Sequence, residues 1–259
     1  HKIELDATWA QRRYFASASG CARFTWNWAL AEWNSQYEAG NKPSGMKLKK
    51  EFNAIKYEQF PWMRGVHRDA HAQPFENLDR AFKTFFKSTS QRPTFKKKGK
   101  CRDSFAVAND KFHIDGKVVV LPKIGRVRLR EPLRFIGKIL GAVVSRAADR
   151  WFLAVQVDVG EFRKPRIGDG MVGVDLGIAP FAADSDGVQY QAPKPLGDYI
   201  KRLKRASRRL SRKQKGSRNR RKQALIVARL HHHVARIRSD FLHKLTTTLV
   251  RKNQAIFLE

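Results

Sequence analysis

Apolar positions change their period twice along the chain, and each change marks a new kind of element. From about Ala7 to Lys87 they recur at helical spacing: Phe24, Trp28 and Ala31 fall on one face, and Leu78, Phe82, Phe85 and Phe86 repeat before Ser88, Thr89 and Ser90. Residues 41–45, with Pro43, and the Phe60, Pro61, Trp62 stretch interrupt this pattern and predict several separate helices. On such faces the aromatic residues read as core before base-stacking platforms. From 92 to 158 the period shortens toward two and β-branched residues rise, with runs at 117–121, 126–129, 142–146 and 151–158. Turn signals at Asp115 and Gly116, at 122–125 and at Asp149 and Arg150 separate them, which predicts a compact antiparallel barrel or curved sheet. Arg126, Arg128 and Arg130 alternate with Val127 and Leu129, the pattern of a half-buried strand with a basic exterior. Residues 161–170 read as a linker.

The third pattern begins at Met171 with a short apolar strand, MVGVDLGI, interrupted by one acid, Asp175. A second apolar segment, the turn at Asp186 and Gly187, and Val188 to Tyr190 complete a predicted β-meander. Between Asp198 and about Lys252 two long helices are predicted, broken at Gly216. The second carries a stripe, Leu230, Val234, Ile237, Phe241, Leu245 and Leu249, in steps of three or four. The first has only Leu203 and Leu210 as an apolar seam. The chain opens at His1 and closes inside the apolar run AIFLE, so flanking residues are expected at both ends.

Charge turns this pattern toward a partner. The 259 residues hold 53 Lys plus Arg against 23 Asp plus Glu, a formal net charge of +30, with 42% hydrophobic and 11% aromatic residues. That much apolar content excludes a disordered basic tail, and a folded surface so uncompensated implies a bound polyanion, nucleic acid first. Residues 201–222, KRLKRASRRLSRKQKGSRNRRK, contain thirteen cations and no acid among twenty-two positions. No run approaches the ~18–20 apolar residues of a membrane span, and no signal-peptide pattern opens the chain. Cys21 and Cys101 are eighty positions apart, which excludes a disulfide framework and a Cys-x-x-Cys zinc site. The expected compartment is a reducing cytoplasm.

Asp175 lies in an apolar strand and Glu259 ends another, so each should be paired, metal-bound or at an exposed strand edge. On adjacent strands two such acids can converge on Mg²⁺, whose oxygen-seeking chemistry suits phosphodiester hydrolysis; structural acids at strand ends are the alternative. His67 and His71 have i, i+4 spacing but no third ligand, and read as nucleic-acid contacts. His231, His232 and His233 are consecutive, about 100° apart on a helix, and read as surface or RNA-facing. Cys101 sits among cations without a general base nearby.

GVDLGI at 173–178 followed by Asp186 and Gly187 resembles the first active-site motif of RuvC-type nuclease domains as it stands in the TnpB family, the RNA-guided nucleases of insertion sequences related to type V CRISPR effectors. Further segments resemble that family in order: CARFTWNWA at 21–29, NLDRAFKTFFK at 77–87, PTFKKK at 93–98, LPKIG at 121–125, RRLSRKQKGS at 208–217 and DFLHKLTT at 240–247. Together they span nearly the whole chain. The resemblance implies an α+β multidomain fold: a wedge β-barrel beginning at 1–6 and continuing over 91–165, a helical recognition unit at 7–90, and a RuvC/RNase H-like α/β nuclease domain from 166 to 259 carrying an inserted basic helical hairpin and incomplete at its C-terminal end. It implies that Asp175 and Glu259 are the catalytic and metal-binding acids, with Mg²⁺ or Mn²⁺. A third catalytic Asp and a Cys-rich module that could hold Zn²⁺ are expected beyond residue 259.

The function expected is therefore RNA-guided DNA cleavage by a transposable-element protein, with guide RNA and target double-stranded DNA as partners, no membrane, and a monomer. Arg208, Arg209, Arg212 and Lys213 are the expected contacts to guide or heteroduplex phosphates. Gln73, Asn77 and Asn109 could read adenine edges of a short target-adjacent motif, since amides bond adenine bidentately, or could serve local turns and caps. Two alternatives remain: a nuclease-dead RNA-guided repressor on the same scaffold, and a guide-independent DNA transposase.

Overall fold

The computed structural model describes residues 1–161 and 168–259. Most of the stretch expected as a linker, 162–167, lies outside the described residues. The chain divides into two units, His1–Gly160 and Glu161–Glu259.

The first unit opens with strand β1 (Lys2–Asp6), followed by helices α1 (Trp9–Glu38), α2 (Gly45–Gln59) and α3 (Asp69–Phe86). Strands β2 (Ser104–Ala108), β3 (His113–Asp115), β4 (Val118–Leu121), β5 (Gly125–Leu129), β6 (Lys138–Ala147) and β7 (Arg150–Asp158) follow. They form one sheet in the order β2-β6-β7-β1-β5-β4-β3, antiparallel throughout, so β1 is inserted between β7 and β5, with Leu5 opposite both Trp151 and Leu129. The residues expected to close a barrel thus build a sheet whose hydrogen-bonded order ends at β2 and β3. In β5 the alternation holds: Val127 and Leu129 are buried, while Arg126 and Arg128 are exposed.

Helix α1 starts at a capping box, in which Thr8 accepts from the Gln11 amide and the Gln11 side chain accepts from the Thr8 amide. Its buried face differs from the one expected: Ala31 is exposed, and Phe15, Ala18, Cys21, Thr25, Ala29 and Leu30 are buried. The helix is covered on two sides. Phe15 packs on Phe105 and Trp151 of the sheet, while Trp28 packs on Phe52 of α2 and Phe75 of α3. A helix buried on two sides has no single apolar stripe to read.

Close approach of α2 and α3 explains Gly45: a Cβ there would stand 2.6 Å from the Phe75 carbonyl oxygen, and its amide donates to Asp79. His71 is 2% exposed in this core, with its ring edge against Tyr57 and no partner for Nε2 among the described residues. Burial, reinforced by Lys56, pushes its pKa down to about 4. His71 therefore enters the fold neutral and lies in the core, not on the surface where a nucleic-acid contact was expected. Because the unfolded chain binds that proton more readily, acidification from the ordinary histidine pKa toward 4 favours unfolding.

The second unit contains β8 (Gly170–Leu176), β9 (Ala182–Asp184), β10 (Gln189–Tyr190), α4 (Pro195–Ser211), α5 (Arg218–Lys252) and β11 (Asn253–Leu258). The sheet order is β10-β9-β8-β11; β8 pairs antiparallel with β9 and parallel with β11. Leu245 and Leu249 of α5 bury Val172, Val174 and Ala182, with Phe241 and Ile256 at the margin. Gly216, at φ +85°, takes the left-handed conformation in the α4–α5 turn that side chains disfavour.

Candidate nuclease site and nucleic-acid surface

The β8 sequence alternates so that Val172 and Val174 face α5, while Met171, Gly173 and Asp175 point to the opposite side. In the parallel ladder Leu258 stands opposite Val174 and Phe257 opposite Gly173. The Glu259 amide donates to the Val174 carbonyl at 3.1 Å and the Leu176 amide to the Glu259 carbonyl at 3.4 Å, so the ladder continues one residue further. Asp175 and Glu259 therefore share one register position and one face at the C-terminal ends of neighbouring parallel strands, where open α/β sheets bind ligands. Strands spaced ~4.8 Å apart bring such carboxylates within reach of one cation. Both residues are exposed, which removes the desolvation cost that an acid in an apolar strand otherwise carries. Among the described residues neither is in an ion pair, and no group of three or more metal-ligating side chains is formed. Paired, exposed and unneutralised oxygens are a donor set that fits Mg²⁺ or Mn²⁺.

The nearby acid Asp184 is structural. Its carboxylate accepts from the Val188 amide at 2.7 Å and the Tyr190 hydroxyl at 2.8 Å, and these bonds hold its pKa below the usual range against the opposing effect of desolvation, the larger single influence. Those bonds close the β9–β10 turn. Ser185 accepts from the Gly173 amide at 3.2 Å and so steadies the strand just before Asp175.

On α4, Pro195, Leu203 and Ala206 are buried, and Lys201, Arg202, Lys204, Arg205, Arg208 and Arg209 are exposed. Lys201, Lys204, Arg205, Arg208, Arg209 and Arg212 line one shallow basic depression of about 450 Å³. Three of the four expected phosphate contacts, Arg208, Arg209 and Arg212, thus come together; Lys213 is half-buried in the turn. Lys201, Lys204 and Arg205, which the sequence marked only as part of the basic run, join those arginines on this surface. Sequence reasoning gave no distinct role to Arg220, whose guanidinium donates to the carbonyls of Leu210 at 2.6 Å and Lys213 at 3.0 Å. This half-buried arginine caps the C-terminal end of α4 and ties the hairpin shut. Buried Gln223 adds a bond to the Ala206 carbonyl at 3.0 Å.

In the first unit a groove of about 430 Å³ runs between α1, α3 and the sheet, lined on its polar side by Arg23, Gln73, Asn77, Arg80, Lys96 and Arg102. Gln73 and Asn77 share this groove, one helical turn apart; Asn109 is exposed just beyond Ala108, which lines it. Gln73 donates to Glu76 at 2.9 Å, one of the local bonds the sequence left open, while Asn77 is exposed. His67 is half-buried, with Nδ1 3.5 Å from Asp69 and accepting from the Asp69 amide. Cys21 is buried, which pushes its thiol pKa up to about 12 and removes it from any metal or nucleophilic role at neutral pH. Among the described residues no helix is long and apolar enough to cross a membrane.

Comparison with known proteins places these features among relatives. Residues 154–259 match the OrfB_IS605 family, described as "Probable transposase", and residues 1–42 match the associated HTH_OrfB_IS605 family, described as "Helix-turn-helix domain". In this chain residues 1–42 fold as a strand and one unbroken helix, with no turn between two helices. The "Putative RNA-guided DNA endonuclease InsQ" of Escherichia coli (strain K12) is 32% identical over 261 residues. A "Putative RNA-guided DNA endonuclease" of Streptomyces pristinaespiralis is 31% identical over 266 residues. In both comparisons the whole of this chain is covered, and it spans 65% of the relative's length. A chain of the solved "Cryo-EM structure of CRISPR-Cas12f Ternary Complex" aligns over 98% of this chain and 64% of its own, at 12% identity and a TM-score of 0.41.

Proposed function

Because the chain belongs to the OrfB_IS605 family, we propose that it is the RNA-guided DNA endonuclease of a transposable element, cutting DNA at a RuvC-type site held by Asp175 and Glu259. One observation carries the reading: two exposed carboxylates stand in register on one face at the C-terminal ends of adjacent parallel strands. A bound Mg²⁺ or Mn²⁺ pair would supply Lewis-acid polarisation of the phosphodiester and an activated water. The chain's own contribution is to hold those oxygens fixed on a sheet braced by Leu245 and Leu249, outside the apolar core.

The remaining residues bind and orient. Arg208, Arg209 and Arg212, with Lys213 at the turn, would hold guide or heteroduplex phosphates and carry no sequence information. Gln73 and Asn77, with Asn109 at the groove's edge, would read adenine edges in a short duplex motif beside the target, flanked by the groove's arginines on the phosphates. In this reading residues 1–6 and 91–165 act as the wedge, 7–90 as the recognition unit and 166–259 as part of the nuclease domain. The complex acts as one protein chain with its guide RNA on double-stranded target DNA, associated with the nucleoid in a prokaryotic cytoplasm.

Purification tests the RNA requirement. A surface at +30 needs a polyanion, so the protein expressed from its natural reading frame should co-purify with RNA of a defined length class, seen by absorbance ratio and on gels. A monodisperse, nucleic-acid-free preparation stable at low salt would overturn this reading.

A further inference from the structure

The inner side of the α4–α5 hairpin carries chemistry that phosphate contacts leave unused. Tyr199 of α4 and His233 of α5 meet edge to face, with ring centroids 4.9 Å apart and planes at 65°. The Arg202 guanidinium lies 5.4 Å from the Tyr199 ring centroid. These three side chains line a depression of about 360 Å³ together with Ile226, Arg229 and Leu230. Through Arg202, Ile226 and Leu230 it continues into a second depression of about 180 Å³, reaching Arg205, Ala206, Arg209 and Gln223. The result is a furrow along the helix seam with an aliphatic floor, an arginine rail on α4 and an aromatic pair at one end. From Tyr199 to Arg209 the rail rises roughly 15 Å, the run of a few nucleotides.

A duplex could use the rail but not the floor, because its bases are stacked face to face and offer only their edges in the grooves, not a free π-face. Ile226, 44% exposed, and the Tyr199–His233 pair gain only from a partner that offers flat π-faces and a negatively charged backbone together. We propose that this seam is a binding site for unpaired nucleic acid, in which a base stacks at Tyr199 and His233 while the adjoining phosphates run along Arg202, Arg205 and Arg209. The inference deepens the nucleic-acid reading above by giving the hairpin a single-strand site on its seam, which shares Arg205 and Arg209 with the basic face.

The test measures binding of short fluorescent oligonucleotides to the protein at fixed salt, with single-stranded RNA, single-stranded DNA and duplex DNA in parallel arms. Replacing Tyr199 and His233 together (Tyr199→Leu, His233→Leu) should weaken single-strand binding by roughly 5- to 150-fold, the worth of one stacked base, and leave duplex affinity within about 2-fold, since duplex affinity rests on phosphate contacts. Tyr199→Phe, which keeps the ring, should bind like the unmodified protein, and unchanged thermal melting shows that the hairpin is intact. The arm with the larger loss identifies whether RNA or DNA occupies the seam. Equal losses for duplex and single strand, or no loss in either single-strand arm, would overturn the proposal. If the unmodified protein bound no nucleic acid in any arm, the functional reading would fail with it.

Discussion

Asp175→Ala should reduce DNA cleavage by roughly 100-fold or more while leaving RNA and target-DNA affinities within about 2-fold. A group that stabilises charge only in the transition state costs on that scale when it is removed, and a carboxylate that fixes the catalytic metal belongs to this class. The position permits a clean reading. Asp175 is exposed and points away from the face on which Val172 and Val174 are buried, so alanine leaves no cavity and disturbs no core packing. The ladder around it is made of backbone bonds from Val174, Leu176 and Glu259, which alanine retains. Losing one negative charge beside DNA phosphates weakens repulsion, so binding should hold or rise slightly. Equal loss of binding and cutting would make Asp175 a structural acid, and binding without cutting by the unmodified protein would favour the repressor alternative.

Replacing Arg208, Arg209, Arg212 and Lys213 by alanine should have the opposite signature: weaker binding to every sequence, with no change in preference among targets. Each phosphate deprived of its cation flattens the slope of log affinity against log salt by roughly 0.7–0.9. Arg208, Arg209 and Arg212 stand on one basic depression, whereas Lys213 is half-buried at the turn. The expected flattening is therefore about two to three, carried mainly by the three arginines. The variant should fold, because the hairpin is held by Arg220 and Gln223 on backbone carbonyls and by buried Leu203 and Ala206. An unchanged slope measured by salt titration would place these arginines away from nucleic acid.

What the sequence disclosed depended on how many sides of each element are covered. The C-terminal half of helix α5 packs one stripe on a sheet, so Leu245 and Leu249 stood out at helical spacing and are buried. In β5 one face is solvated, and its alternating arginines were equally plain. On α1, buried on two sides, the same method chose a face that includes exposed Ala31. The segments CARFTWNWA and PTFKKK were recognisable, but the reason for their joint occurrence needed coordinates. The Trp26 indole donates to the Thr94 carbonyl at 3.0 Å, and Asn27 both donates to and accepts from the Lys96 backbone, at 2.9 and 2.7 Å. The Lys96 ammonium lies 3.7 Å from the Trp26 ring centroid, and burial lowers its pKa. These contacts hold the two motifs to each other.

The candidate site divided in the same way. Asp175 was conspicuous because an acid inside an apolar run demands an explanation, and Glu259 for the same reason; that they share a register position depends on a parallel pairing across a connection of more than seventy residues, which no local pattern carries. Arg220 looked like one cation among thirteen in its segment. Only the direction of its guanidinium, toward the end of α4, separates it from the arginines that face outward.

The measurement that bears most directly on the account is cleavage by the RNA-bound protein, with Mg²⁺ and with EDTA, of two DNAs that share the same flanking motif and differ only in whether they match the bound RNA. The account predicts Mg²⁺-dependent cutting of the matched DNA alone, since base pairing carries the sequence and the carboxylate pair carries the chemistry. Equal cutting of both DNAs, or cutting that persists in EDTA, would contradict it.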